Sequence, residues 1–92
     1  MIKNFKHKGL KDFFESGTRS GILPHHAKKL QILLTILNNA KNEKDMNAPV
    51  WRIHSLSGVL NGHWSVSVSG NWRVTFRFVG EDVELVNYQD YH

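Results

Sequence analysis

The 92-residue chain reads as a single α+β domain, residues 1–92, in which two N-terminal helices pack on one face of a small antiparallel β-sheet. Two observations predict this. Apolar residues recur at helical spacing before Ala40 and at every second position after Gly62. The turn signals Ser69-Gly70 and Gly80-Glu81-Asp82 are too short for a parallel crossover, so the strands they join run antiparallel. A hydrophobic content of 40%, with three Trp and five Phe, supplies one core.

Residues 1–6 are expected to form a short first strand anchored by Ile2. Over residues 7–16, Leu10, Phe13 and Phe14 fall at helical spacing, and Gly17 follows as a stop. Residues 18–21 read as a loop. The second helix has Pro24 in its first turn and a stripe of Ala27, Leu30, Leu34 and Leu37, widened by Ile32, Leu33 and Ile36. Asn38-Asn39 end it. Residues 41–49 are polar and helix-breaking, a connection with a short turn around Met46.

From residue 50 the period falls to two. Residues 50–56 are expected to be extended and residues 58–62 a loop. In residues 63–69, Trp64, Val66 and Val68 alternate with Ser65, Ser67 and Ser69, the pattern of a half-buried strand. Residues 71–79 alternate Trp72, Val74, Phe76 and Phe78 with Asn71, Arg73, Thr75 and Arg77. After a second turn, Val83, Leu85 and Asn87 begin the last strand. If the helices cover the aromatic face, the opposite face is a shallow polar surface carrying two arginines.

The net charge is +4 and the isoelectric point about 9.6. Residues 1–41 hold eight basic and two acidic side chains, whereas residues 42–92 hold four basic and six acidic. A basic N-terminal half favours a polyanionic partner. With no cysteine the chain has no disulfide, Cys-zinc site or thiol chemistry, which fits a cytoplasmic protein. No run approaches the ~20 apolar residues of a membrane span, and no apolar stretch follows the basic N-terminus as in a secretory signal. The six histidines show no His-Glu-x-x-His spacing, and no nucleotide-binding glycine loop or Gly-x-Ser-x-Gly elbow occurs. Neither a metal site nor a cofactor is expected.

What remains suits metal-free RNA cleavage. That reaction needs a group to take the 2′-hydroxyl proton, a group to protonate the departing 5′-oxygen, and a cation for the extra charge on phosphorus. Arginine binds two phosphate oxygens and stays charged, which fits Arg73. Histidine titrates near neutrality, which fits His54 and His92. Tyr91 can orient the phosphate, donate a hydrogen bond or stack on a base; Asn71 can position a base edge or the scissile group. Each has a structural alternative. From residue types alone, His54 is better read as a hydrogen-bonded structural histidine and Arg77 as a solvated strand residue. Tyr91 and His92 are either a frayed end or a docked extension of the last strand.

Several segments together resemble the HigB branch of the RelE toxin superfamily: Leu56-Ser57-Gly58, the run from Gly62-His63-Trp64, the strand opening Asn71-Trp72-Arg73, and the terminal Asp90-Tyr91-His92. The opening residues 1–10 and Phe13-Phe14-Glu15 add to the match, which spans nearly the whole chain. The resemblance implies a RelE-like fold and a type II toxin that cleaves mRNA in the ribosomal A site. It implies a helix-turn-helix, HigA-like antitoxin as partner, with operator DNA reached only through that antitoxin, and no membrane. By position it implies substrate-binding or catalytic roles for His54, Asn71, Arg73, Tyr91 and His92. Ser57 stands where some relatives carry a lysine, so phosphate contacts are expected to fall to Lys3, Lys6 and Lys8, with Ser57 and Arg77 as further RNA contacts. The alternatives are a non-catalytic RNA- or ribosome-binding inhibitor, and a degenerate toxin that only binds its antitoxin.

Overall fold

The computed structural model describes residues 1–90. The first helix, α1 (Lys8–Ser16), begins where His7 Nδ1 accepts the Leu10 N–H at 3.0 Å, satisfying one of the donors that a helix start leaves unpaired. It ends at Gly17, whose φ of 78° lies in the left-handed region and whose N–H returns to the Phe13 carbonyl. Pro24 belongs not to the α-helix proper but to a 3₁₀ turn, Pro24–His26, that leads into α2 (Ala27–Asn39). The buried stripe of α2 is Ala27, Leu30, Leu33, Leu34 and Leu37. Ile32, expected to widen it, is 47% exposed.

Four strands follow in the order β1 (His54–Ser55), β2 (Trp64–Ser69), β3 (Trp72–Val79) and β4 (Asp82–Asp90), each antiparallel to its neighbour. Val66, Val74, Phe76, Val83, Val86 and Tyr88 share one core with the α2 stripe, Leu10 and Phe13. Burying each such aliphatic or aromatic side chain contributes about 1.5–3 kcal/mol, so this shared core outweighs any single cap or turn. The expected arrangement, helices on one face of an antiparallel sheet, is the one observed.

Local departures have identifiable causes. Residues 1–6 form no regular strand; Ile2 and Phe5 make isolated parallel bridges to Val83 and Val86 of β4. Residues 50–56 are mostly not extended. Pro49 favours a turn, Pro49–Trp51 winds into 3₁₀ geometry, and Trp51 packs into the core at 5% exposure. Arg52 then takes a left-handed conformation (φ 48°), and only His54–Ser55 pairs. Asn71 lies outside β3, in the two-residue turn Gly70–Asn71, where Gly70 takes the positive φ of 54° that this kind of hairpin requires at its first position.

Two register shifts break strict alternation. One lies between Ser67 and Ser69 in the β2–β3 pair, the other between Thr75 and Arg77 in the β3–β4 pair. At the second, Leu85 is the extra residue. Its φ is 57°, and its N–H is taken by Asn4 Oδ1 at 2.7 Å. Val83, Val86 and Tyr88 therefore face the core, in place of the alternation through Leu85 and Asn87 that the sequence suggested. The polar sheet face also differs from expectation at its centre: Ser65 and Thr75 are 0% and 1% exposed. No helix among the described residues is long and apolar enough to cross a membrane.

Candidate active site

Strand register sets the site. His54 pairs with Ser65, Ser65 with Thr75, and Thr75 with Asn87, so these four side chains form a row across one face of the sheet. The next row on that face holds Ser67, Arg73 and Gln89. Two strand spacings of ~4.8 Å and one same-face step of ~6.8 Å separate the Cα atoms of His54 and Arg73 by roughly 12 Å. That separation is on the scale of a ribose-phosphate unit.

His54 is exposed, and its Nδ1 lies 3.1 Å from the Arg52 carbonyl. A carbonyl only accepts, so Nδ1 carries the hydrogen and neutral His54 keeps its lone pair on Nε2, away from the backbone. The left-handed conformation of Arg52 belongs to the turn that brings this carbonyl to the ring. Arg73 is half-buried on β3 and engages no ion-pair partner among the described residues. Beside it, Gln89 Nε2 donates to Thr75 Oγ1 at 2.9 Å, whereas the buried Ser65 Oγ in the same row has no hydrogen-bond partner among the described residues.

The remaining expected residues are dispersed. Asn71 is exposed in the hairpin turn, two residues from Arg73. Ser57 is exposed and precedes a 3₁₀ turn, Gly58–Leu60. Arg77 gives both Nε and Nη2 to Glu84 Oε1, at 3.0 and 2.8 Å. The shift at Leu85 causes this, because it sets Glu84 opposite Arg77. Lys3 and Lys6 lie along the Val83–Val86 portion of β4, remote from the Gln89 end that borders Arg73, and Lys8 pairs with Asp12. Tyr91 and His92 lie outside the described residues. Among the described residues, no three His, Asp or Glu side chains are grouped so as to hold a metal ion.

Three features escaped the sequence reading. A cleft of about 580 Å³ opens between the Pro49–Trp51 turn and the β2–β3 hairpin, with Lys29, Arg52 and Arg73 in its lining. No local signal separates Lys29 from Lys28, and an extended reading of residues 50–56 hides Arg52. Gln89 was also missed, since only register reveals it as the neighbour of Arg73. Finally, a buried cluster backs the site from the core side. His26 Nδ1 lies 2.5 Å from Tyr88 Oη, and Trp72 packs on Tyr88 with ring centroids 4.5 Å apart. Burial, reinforced by the charges of His25 and Lys29, pushes the His26 pKa down. Burial pushes the Tyr88 pKa up.

Residues 3–92 match the family model of the RelE-like toxin of the type II toxin-antitoxin system HigB. The chain belongs to the HigB-like toxin family. Among relatives, Endoribonuclease HigB of Proteus vulgaris is 40% identical over 92 residues, covering all of both chains. Toxin HigB-1 of Vibrio cholerae serotype O1 is 34% identical over 94 residues, covering 100% of this chain and 98% of that one. The HigB-like fold is shared with solved structures of Escherichia coli YafQ. A YafQ mutant aligns with a TM-score of 0.64 at 20% identity, over 98% of this chain and 91% of the other. YafQ from strain BL21(DE3) aligns with a TM-score of 0.58 at 16% identity, with the same coverages. Membership in the family makes this chain a type II toxin with an antitoxin as its partner.

Proposed function

We propose that this toxin is an endoribonuclease that cuts mRNA in the ribosomal A site, by attack of the 2′-hydroxyl on the adjacent phosphorus and without a metal. The observation that carries the proposal is the cross-strand register, which sets His54 and Arg73 on one face with a gap of nucleotide size between them. The name of the Proteus vulgaris relative supports the reaction class.

In this reading His54 Nε2 takes the 2′-hydroxyl proton while its Nδ1–H stays on the Arg52 carbonyl. The 2′-oxygen bonds to phosphorus, the bond to the 5′-oxygen breaks, and a 2′,3′-cyclic phosphate and a 5′-hydroxyl result. Arg73 neutralises the charge gathering on the phosphoryl oxygens. The proton for the 5′-oxygen comes from Tyr91 or His92. Asn71, at the hairpin tip, contacts the substrate beside Arg73. A site this open leaves much of the substrate positioning to the ribosome, so free RNA is cut slowly. The antitoxin is of the helix-turn-helix, HigA-like class.

Expression in growing bacteria, followed by primer extension on cellular messages, tests this. The parent arrests growth and leaves cut messages; Arg73→Ala and a chain lacking His92 leave messages whole. Cleavage by both variants at the parent's level refutes the site. Arrest by the parent with intact messages assigns the protein instead to non-catalytic inhibition of translation.

A further inference from the structure

We propose that the cleft between the Pro49–Trp51 turn and the β2–β3 hairpin is a second phosphate site for single-stranded RNA, held by Lys29 and Arg52 and adjoining the reacting phosphate at Arg73. The proposal rests on the nuclease reading in taking RNA as the polyanion.

The cleft exists because β1 is two residues long. Beyond the His54–Ser65 pair the chain turns away through Arg52, so among the described residues no strand lies beside Ser67–Ser69 of β2 on that side. The Pro49–Trp51 turn and the start of α2 wall the space that is left. Among the described residues its lining contains three cations, Lys29, Arg52 and Arg73, and no carboxylate. None of the three is engaged in an ion pair with a described residue, whereas Lys8 and Arg77 are paired with Asp12 and Glu84. Three cations around one concavity, none of them ion-paired with a described residue, raise the local potential for an anion far more than scattered surface charge does.

The geometry around these cations is specific. Lys29 Nζ lies 6.0 Å from the centre of the Trp51 ring, itself buried, which holds the ammonium at the cleft wall. Arg52 sits in the left-handed region at φ 48°, a conformation rare for residues with a branched or long side chain and concentrated at ligand sites. One residue thus serves two neighbouring places: its carbonyl orients His54, and its guanidinium lines the cleft. Ser67 and Ser69 add hydroxyls, and Val50, 59% exposed, offers an apolar lip to a ribose or base. A volume of about 580 Å³ falls in the range of small-ligand sites and accommodates a nucleotide. Arg73 lines both places, so a strand whose scissile phosphate lies at Arg73 enters the cleft with the next one.

The test is fluorescence anisotropy with labelled 2′-O-methyl oligoribonucleotides, which lack the attacking hydroxyl and are never cut. A hexanucleotide and a dinucleotide are titrated across a salt series against the parent, the Lys29→Ala/Arg52→Ala double variant, and Lys41→Ala, a control beyond the far end of α2. The double variant is expected to bind the hexanucleotide at least about tenfold more weakly, from two lost charge-assisted contacts. Its slope of log affinity against log salt is expected to fall by about 1.4, near 0.7 per phosphate contact on a single strand. The dinucleotide, with one phosphate to place at Arg73, is expected to change less than about twofold, and Lys41→Ala to match the parent. An unchanged hexanucleotide slope overturns the proposal, as does an equal loss in Lys41→Ala, which would mean diffuse attraction. Loss of affinity for a poly-aspartate peptide with RNA binding intact assigns the cleft to an acidic protein segment and also overturns it. Because the probe cannot react, a protein that shows the expected slopes yet cuts no message keeps the cleft and loses the nuclease reading.

Discussion

Removing one hydroxyl from the buried His26–Tyr88 pair tests whether the core beneath the site holds it in place. His26 and Tyr88 are 2% and 4% exposed, and His26 Nδ1 and Tyr88 Oη lie 2.5 Å apart. Tyr88→Phe keeps the ring packed on Trp72 and His7 and deletes the partner of Nδ1 together with the hydroxyl's hydrogen bond to the Leu23 backbone, a loss that a double-mutant cycle cancels. A buried polar atom left without a partner costs about 1–3 kcal/mol, whereas the methylene-scale change in volume costs little, so the hydrogen bond dominates the outcome. For a domain of this size each kcal/mol moves the midpoint by several degrees, giving a fall of about 5–15 °C in thermal unfolding. A double-mutant cycle of Tyr88→Phe with His26→Leu isolates the pair and is expected to return a coupling of at least about 1 kcal/mol. A coupling below about 0.5 kcal/mol refutes the reasoning. The consequence reaches the site because Trp72 and Tyr88 each precede a residue of the opposite face, Arg73 and Gln89, which pair with one another across β3 and β4.

Two further outcomes are expected. Stability depends on pH through His26 and His7, whose pKa values burial pushes below the ordinary 6.5. The unfolded chain therefore takes up protons that the folded chain refuses, so stability is fully present above about pH 6.5 and is lost as the pH falls below it, at up to about 1.4 kcal/mol per pH unit for buried His26. Urea titrations at several pH values check this, and His7→Asn, which keeps a capping acceptor without a titrating ring, is expected to flatten the acid limb; an unchanged limb refutes the role of His7. Gly9→Ala separates helix propensity from packing. Propensity alone predicts a gain of about 1 kcal/mol, but a Cβ at Gly9 would sit 2.6 Å from the Gly21 carbonyl oxygen and 2.7 Å from its Cα, so a loss of about 1–3 kcal/mol is expected, and a raised midpoint in thermal unfolding refutes the close approach.

The parts of the fold that were legible are those governed by local period. The α2 stripe is written in the spacing of Leu30, Leu34 and Leu37, and β2 and β3 in the alternation of valines and aromatics with polar residues, because each element must present one apolar face to a common core. The parts that misled are those where one residue breaks the period. Val50-Trp51-Arg52-Ile53 carries strand-forming residues, yet Pro49 and the burial of Trp51 coil it into a turn. Leu85 looks inward by alternation and is instead the extra residue of a bulge, held by Asn4 from the other end of the chain. Asn71 fits the parity of β3 and belongs to its turn.

For the site the division is similar. Residue types alone established that the chain carries guanidinium and imidazole groups suited to phosphate chemistry and no thiol, and its motifs pointed to the family to which it belongs. Which of those groups meet was decided by tertiary structure. The His54–Ser65–Thr75 row arises from pairing between strands distant in sequence, and a shift of one residue would send Arg73 to the opposite face. The cleft that sets Lys29 beside Arg52 and Arg73 exists only because a helix, a turn and a hairpin end converge there. Periodicity encodes the face a side chain takes within its own element; its neighbours across elements depend on register and packing, to which every part of the chain contributes.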